Sequence, residues 1–373
     1  MGSLNAIGRR GPRPHLRALT GARFLAALHV VLYHVLAWQG TWFSAVIGTG
    51  YVSVNFFFVL SGFILAYTYG DHPIDPREFY AARVARIYPI YVLGLLLAAT
   101  FFVRAHVNAH TVGLMVAQGA AVLLLVQAQV PNWSLVWSSP SWSLSVEAFF
   151  YLLFPCIAPR LLRVKRPRVW ALVMWCVLMA IAGLFLRFAP PAADGSPGTA
   201  IDILRHSPVL RLPEFLIGVI AARESRTRAW AALPATLAIL VALAISSSIP
   251  YVLLHHGLLD PLFVVLIVAL ASGGGLLGRV LSSGPFVALG EASYALYIVH
   301  VPLLLIGRAV VQAIAPSQLE TAAFRAGLIG LMIAASLMAF RFVEWPLRHR
   351  LRRALGGGRL SEDVAMGEPS PAK

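Results

Sequence analysis

Charge is scarce in this chain of 373 residues. Only 12% of them are Asp, Glu, Lys or Arg, against about 25% in an ordinary soluble domain. Apolar residues make up 59% and mean hydropathy is +0.77, which excludes a large water-soluble core in favour of a chain solvated by lipid. Acidic residues are the scarcer sign, 15 against 30 basic, for a formal net charge of +15. That excess is no nucleic-acid footprint: there is no long basic stripe with interleaved aromatics and no reading helix. The positive residues fall in short segments between apolar runs, as the positive-inside rule expects. The two cysteines, Cys156 and Cys176, lie in apolar runs and are expected to be small buried hydrophobes. They exclude a disulfide framework, and no metal motif occurs. The first apolar segment is too long for the h-region of a signal peptide and holds His29 and His34, so it is expected to stay as a first span.

Residues 1–21 form a basic, turn-rich segment with Arg9, Arg10, Arg13 and Arg17, which places the N-terminus in the cytoplasm. Spans are expected at 22–40, 47–69, 87–104, 142–160, 169–188, 209–222, 230–248, 251–271, 285–307 and 323–343. Pro89 falls in the first turn of its span, where proline is tolerated. An extra apolar stretch, 111–130, breaks the parity between two inner basic loops. With the Trp/Ser/Pro-rich run to 141 it is expected to re-enter, since irregular backbone is allowed where protein covers it. The chain therefore reads as an all-α, polytopic integral membrane protein with about ten transmembrane helices plus a re-entrant segment and both termini cytoplasmic. Residues 22–347 form the transmembrane domain, and 348–373 a basic, then Gly/Pro/Ser-rich tail expected to be disordered. Trp38, Trp42, Trp133, Trp137 and Trp142 are expected near the outer interface, most of them as an aromatic belt. Abundant Arg, Ala and Leu suit a GC-rich bacterium, hence a bacterial cytoplasmic membrane.

The stretch RFLAALHVVLYH, Arg23 to His34, organises the chain. Its ends lie roughly 16 Å apart along a helix, about half a hydrocarbon core, and ionisable groups at such depth are costly. By this topology Arg23, Arg83, Arg86 and Arg279 lie at the inner side, and His34, Glu147 and His300 in the outer part. Arginines match phosphate oxygens. A long donor with an anionic head inside and a reactive end deep in the membrane has the shape of coenzyme A carrying a thioester. An acceptor hydroxyl attacking that thioester needs a general base, and His34 suits the task. Glu147 is the candidate that orients the imidazole or stabilises its cation. Ser143, Ser145, Asn55 and Trp142 are candidate oxyanion donors with nothing to choose among them. Ser61 or Ser143 leaves a covalent route open beside direct transfer.

At these residues the chain resembles the acyltransferase 3 family of integral membrane O-acyltransferases. Five features carry the likeness: the Arg23–His34 spacing, FFFVLSGF at 56–63, FYAARVARIYPIY at 79–91, WSLSVEAFFYLLFP at 142–155 and SYALYIVHVPLL at 293–304. Glu344 and Pro346 resemble the family's ending. The resemblance implies a ten-span fold using cytoplasmic acyl-CoA, most often acetyl-CoA; with no metal motif in the sequence, no metal is expected. It implies an acceptor hydroxyl on a carbohydrate: an exopolysaccharide or lipid-linked cell-envelope glycan first, a glycosylated metabolite such as a macrolide second. It carries the hallmark pair to Arg23 and His34, the basic motif to Arg83 and Arg86, and the motif acid to Glu147. Ala148 and Phe149 stand where the family often has Glu-Gln, and the chain matches the compact form without a fused esterase-like domain.

Plainer readings stand beside these. Arg23 is also a positive-inside anchor, Arg83 and Arg86 a basic inner loop, and Glu147 a structural ion pair with an arginine. His300 either lines the acceptor path, as Trp142 and Asn55 also would, or hydrogen-bonds between spans. Glu344 beside Arg341 and Arg348 reads as a structural ion pair. His29 reads as packing, and His255 and His256 as solvated or interfacial. A transporter would explain buried charge but predicts inverted halves, which are absent from the sequence. A non-catalytic donor sensor would bind CoA and survive loss of His34.

Overall fold

The computed structural model describes residues 16–36, 42–70, 73–109, 111–188, 198–223, 228–319 and 321–356. Arg9, Arg10, Arg13, Trp38, the side chain of Trp42, part of the expected outer loop after 188 and the tail beyond 356 lie outside the described residues. Within them every regular element is a helix. In order come α1 (Arg17–Val35), α2 (Trp42–Gly48), α3 (Val52–Tyr69), α4 (Pro76–Asn108), α5 (Val112–Leu123) and α6 (Ser141–Leu161). Then follow α7 (Pro167–Phe188), α8 (Thr199–His206), α9 (Pro208–Ala221), α10 (Ala232–Ala244), α11 (Tyr251–His255) and α12 (Asp260–Ala271). The last are α13 (Gly275–Leu281), α14 (Gly284–Glu291), α15 (Ser293–Ile314), α16 (Ala322–Ala339) and α17 (Trp345–Ala354), with a π-helical turn, Phe340–Glu344, joining the final two.

Among the described residues, eight stretches are long and apolar enough to cross a membrane: α1, α3, α4, α6, α7, Tyr251–Ala271, α15 and Ala322–Ala354. The protein is therefore an all-α, polytopic membrane protein. Its outer helices present apolar side chains to the surroundings: on α7, Val169, Leu172, Val173, Val177, Leu184 and Phe188 are all exposed. Only a lipid solvent tolerates such a surface. Cys156 and Cys176 belong to it. Both are exposed rather than buried as expected, because the apolar runs holding them turn partly outward. α3 is the central helix. It meets α9 so closely that a Cβ on Gly62 would lie 2.0 Å from the Phe215 carbonyl oxygen, and one on Gly218 2.0 Å from that of Val59.

Several boundaries move. α4 starts eleven residues before the expected span, with Asp75 capping the backbone N–H groups of Arg77 and Glu78 and Pro76 in its first turn. Pro89 is thus interior to the helix, not at its start. At 33 residues α4 runs about 50 Å, longer than a hydrocarbon core of about 30 Å, so one end reaches beyond the apolar layer. The span expected at 285–307 begins at Ser293 instead, because α14 ends at Glu291 and packs across α1, with Gly290 against the Thr20 carbonyl.

The stretch 111–130 contains only the 12-residue α5, about 18 Å long. After it the chain is irregular to 140, with Leu125, Asn132 and Trp137 at positive φ. Protein groups satisfy this backbone: Tyr91 Oη donates to Val122 O (2.6 Å), Ser145 Oγ to Leu125 O (2.7 Å), Gln127 Nε2 to Ser141 O (3.1 Å) and Trp137 Nε1 to Leu95 O (2.9 Å). Trp137 stacks on Phe102 and Trp142 is buried, so these two pack within the bundle rather than at its rim.

Candidate active site

A cavity of about 170 Å³ is walled by α1, α3, α4, α6, α15 and α17. It gathers residues distant in sequence: Arg23, Ser61, Arg83, Arg86, Ser143, Glu147, Tyr151, Tyr294, Tyr297 and Arg348 all line it. Arg83 and Arg86 share a face of α4 because they are three residues apart. The Arg83 guanidinium carbon lies 5.7 Å from the Tyr151 ring centre, and its buried Nε has no hydrogen-bond partner. Arg86 pairs with the fully buried Glu344 at 2.5 Å and sits over the Tyr294 ring. In the next layer, Glu147 accepts hydrogen bonds from Ser61 Oγ (2.8 Å) and from Tyr151 Oη.

Above that, Ser143 Oγ lies 2.8 Å from Tyr297 Oη and 3.1 Å from the Pro140 carbonyl. A hydroxyl has one proton, so Ser143 donates to the carbonyl and Tyr297 donates to Ser143. One turn further along α15 is His300, buried, its Nε2 3.3 Å from His34 Nδ1. Both Nδ1 atoms face carbonyls: His34 that of Val30 at 2.9 Å, His300 that of Tyr297 at 2.7 Å. Carbonyl oxygens only accept, so in the neutral rings both Nδ1 atoms carry the proton. His300 Nε2 then accepts from His34, and His34 Nε2 is the basic nitrogen left over.

The expected site residues therefore divide. Arg23, Arg83, Arg86 and Glu147 meet at the cavity. His34 and His300 meet each other just beyond Tyr297. Glu147 hydrogen-bonds to Ser61 and Tyr151, and His34 to His300. Asn55 and Trp142 join a separate buried knot: Arg211 Nη2 donates to Asn55 Oδ1 (2.7 Å) and Nη1 contacts Glu214 (3.0 Å). The same guanidinium lies 6.0 Å from the Trp142 ring centre. His255, His256 and Asp260 belong to this knot and are buried; the two histidines are not solvated or interfacial as expected, because the α11–α12 turn folds inward over Arg211. The residues missed in the sequence were Arg211, Glu214 and Asp260; an ionisable pair three apart within the apolar run 209–222 was the available signal. Tyr151, Tyr294 and Tyr297 carried none beyond their motifs, and Arg348 was legible only as a partner of Glu344. His29 is packing as expected, its ring nitrogens against Ser53 Oγ and Val46 O.

Outside the spanning helices, Asp202 fastens α8 to the irregular stretch, 3.0 Å from Asn132 N and 2.8 Å from His206 Nδ1. Partial burial alone would raise its carboxyl. The hydrogen bonds from His206 and Asn132, with the charges of His206 and Arg205, outweigh that and hold it below the usual carboxylate range. Among the described residues no cluster of three or more His, Cys, Asp or Glu could hold a metal.

A family model described as an acyltransferase domain, acyltransferase 3, matches residues 16–341. The chain belongs to this family. It is a membrane-embedded acyltransferase, and membership supports acyl-CoA-dependent O-acyl transfer. Acyltransferase MdmB of Streptomyces mycarofaciens is 28% identical over 364 residues, covering 91% of this chain and 92% of that protein. Peptidoglycan O-acetyltransferase OatA of Listeria monocytogenes is 24% identical over 91% of this chain, and a Bacillus subtilis protein named as a putative peptidoglycan O-acetyltransferase, YrhL, is 25% identical over 90%. The chain spans just over half the length of these two, 57% and 55%. No solved structure matches. With several long apolar helices and bacterial relatives, the acyltransferase is a multi-pass bacterial membrane protein.

Proposed function

We propose that this acyltransferase moves an acetyl group from cytoplasmic acetyl-CoA to a carbohydrate hydroxyl, through ten transmembrane crossings with both termini cytoplasmic. One observation carries the reading. Tyr294, Tyr297 and His300, three residues apart on α15, face in turn Arg86, Ser143 and His34. One helix thus links an arginine-lined cavity to a histidine pair. The arginines hold the donor's phosphates, and the pantetheine arm runs past Glu147 toward Tyr297. His34 Nε2 takes the acceptor's proton as its oxygen attacks the acyl carbon. Tyr297 Oη offers a hydrogen bond to the oxyanion by turning its proton away from Ser143, whose own proton stays on the Pro140 carbonyl. The C–S bond then breaks, and the same imidazole returns the proton to the departing sulfur, so transfer is direct. His300 stabilises the imidazolium, the role Glu147 was expected to fill. Glu147 instead holds Tyr151 and Ser61 beside Arg83. Asn55 and Trp142 act through the Arg211 knot as supports of the outer wall.

The acceptor we favour is a cell-envelope glycan, supported by the names of the Listeria and Bacillus relatives. A sugar on a small glycosylated metabolite is the second reading. It is the second acceptor class that the family resemblance implies.

The test is binding and turnover of labelled acetyl-CoA by purified protein. His34→Ala is expected to bind donor yet lose transfer by about 10²- to 10⁴-fold, and Arg83→Ala to bind at least about tenfold more weakly. Donor that fails to bind the intact protein would overturn the reading, and parallel panels of glycan and glycosylated metabolite decide the acceptor.

A further inference from the structure

α3 is mostly buried, yet one stripe of it opens on the cavity. Phe57, Ser61, Ile64 and Thr68, spaced four, three and four residues apart, are partly exposed, and all of them line the cavity. That spacing is one face of a helix, about 16 Å long from Thr68 to Phe57. The stripe ends at Phe57: from Val52 to Leu60 every other residue is buried.

The wall changes character along the cavity. On α15, Tyr294 faces Arg86, and one turn on Tyr297 meets the Phe57 ring edge-on, their centres 6.0 Å apart. At that level Val54, Phe58 and Leu144 also form the wall, and the hydroxyls there are those of Ser143 and Tyr297. His300 is one turn further along α15, so this apolar end lies on the side of the histidine pair. Phe57 and Phe58 are held differently. Phe58 is wedged edge-on against Trp142 (6.0 Å) and Phe150 (5.3 Å), with the Arg211 guanidinium 5.3 Å from its ring centre. Phe57 meets Phe56 (5.8 Å) and Tyr297 edge-on and packs at the junction of all three apolar clusters of the bundle, enclosed by none of them. A shorter side chain at 57 would therefore lengthen the cavity instead of leaving a sealed void.

We infer that Phe57 is the end wall of the donor's acyl pocket and sets the length of the acyl group transferred, admitting acetyl and rejecting longer chains. The inference rests on the acyl-CoA reading above and adds to it the residue that selects the acyl group. An apolar acyl tail partitions to the apolar end of the cavity, away from the arginines. With the thioester carbonyl at Tyr297 Oη, the acetyl methyl lies against Phe57, and each further methylene must displace the ring. A packed wall resists such insertion, and an apolar pocket separates chains differing by one methylene by about tenfold or more.

The experiment measures how acetyl-, propionyl-, butyryl- and hexanoyl-CoA displace labelled acetyl-CoA from the purified full-length protein, each affinity taken relative to free coenzyme A. Wild type is compared with Phe57→Ala, Phe57→Leu and Phe57→Trp. Wild type is expected to bind butyryl- and hexanoyl-CoA at least about tenfold more weakly than acetyl-CoA. Phe57→Ala is expected to abolish that penalty, the longer thioesters gaining about fourfold per methylene buried. Phe57→Leu is expected to fall between, and Phe57→Trp to reject propionyl-CoA as well. These two change the volume less and in opposite directions, so the trend is read even if Phe57→Ala does not fold. A wild type indifferent to chain length, or one preference shared by every variant, overturns the inference. A wild type that binds neither coenzyme A nor acetyl-CoA would instead refute the acyl-CoA reading itself, so the two failures are distinguishable.

Discussion

At His34 the question is which ring nitrogen is left to do chemistry. Val30 O and His300 Nε2 both face Nδ1, which leaves Nε2 as the base of the proposed transfer, with His300 offering a lone pair where the cation would form. This predicts a graded series. His300→Leu removes the acceptor and is expected to lower kcat about tenfold to a hundredfold. His300→Gln keeps a carbonyl oxygen and is expected to restore part of it. Donor KM is expected to stay put in both, because the pair lies outside the arginine-lined cavity. Equal loss in both variants, or a change confined to donor KM, would remove His300 from the transfer step. His34 and His300 could be named from the sequence, but not their pairing, because 266 residues separate them and Glu147 was the more conspicuous partner. The Arg211 knot was hidden for a related reason: Asn55, Arg211, Trp142, His255 and Asp260 come from five helices, and no spacing rule joins them. Glu344 was legible as an ion pair, but its choice of Arg86 was not, since that depends on the π turn.

Among the elements, the short α5 was legible through parity: an apolar stretch too many between two inner basic loops had to be irregular. The true start of α4 was not. The Asp75 cap and Pro76 were present in the sequence, but the charged turn after them masked a helix that continues far beyond the apolar run. The contact of α3 with α9 was legible only as a glycine in FFFVLSGF. There the backbones meet, and a methyl group on Gly62 would fall 2.0 Å from the Phe215 carbonyl oxygen and 2.9 Å from Val219 N. Neither is a flexible side-chain end, so α3 must move away from α9. Overpacking of this kind costs about 1–3 kcal/mol or more. Gly62→Ala is therefore expected to lower the melting temperature in detergent and to cut turnover, because Ser61 beside it holds Glu147. Gly183, whose Cβ position is open, is the control: Gly183→Ala is expected to change neither. An unaltered melting temperature in Gly62→Ala would mean that the two helices are not in backbone contact.

For the whole molecule, sidedness follows from which ends touch. Arg223 Nη1 donates to Val164 O at 2.6 Å, so the chain leaves after α6 and is back on the same side at the end of α9. Arg17 Nε donates to Ser282 O at 3.2 Å, which brings the start of α1 to the end of α13. On the opposite side Asn132 N meets Asp202. In the ten-crossing arrangement proposed above, the short helices α9 and α10 act as crossings beside the eight longer stretches, and α5 does not. On that proposal the donor and acceptor sides are opposite faces of one membrane, and a single active site would acetylate outside at the expense of acetyl-CoA inside. α10 is the decisive element, because an even count turns on it. In a background with Cys156 and Cys176 replaced by Ala, single cysteines at Ser248, Ser283 and Arg163 separate the alternatives. A membrane-impermeant maleimide is expected to label Ser248→Cys in intact cells, and Ser283→Cys and Arg163→Cys only after permeabilisation. If Ser248→Cys is as shielded as Ser283→Cys, α10 does not cross. Labelling of Arg163→Cys in intact cells would invert the molecule, putting the arginine cavity on the side where no acetyl-CoA exists.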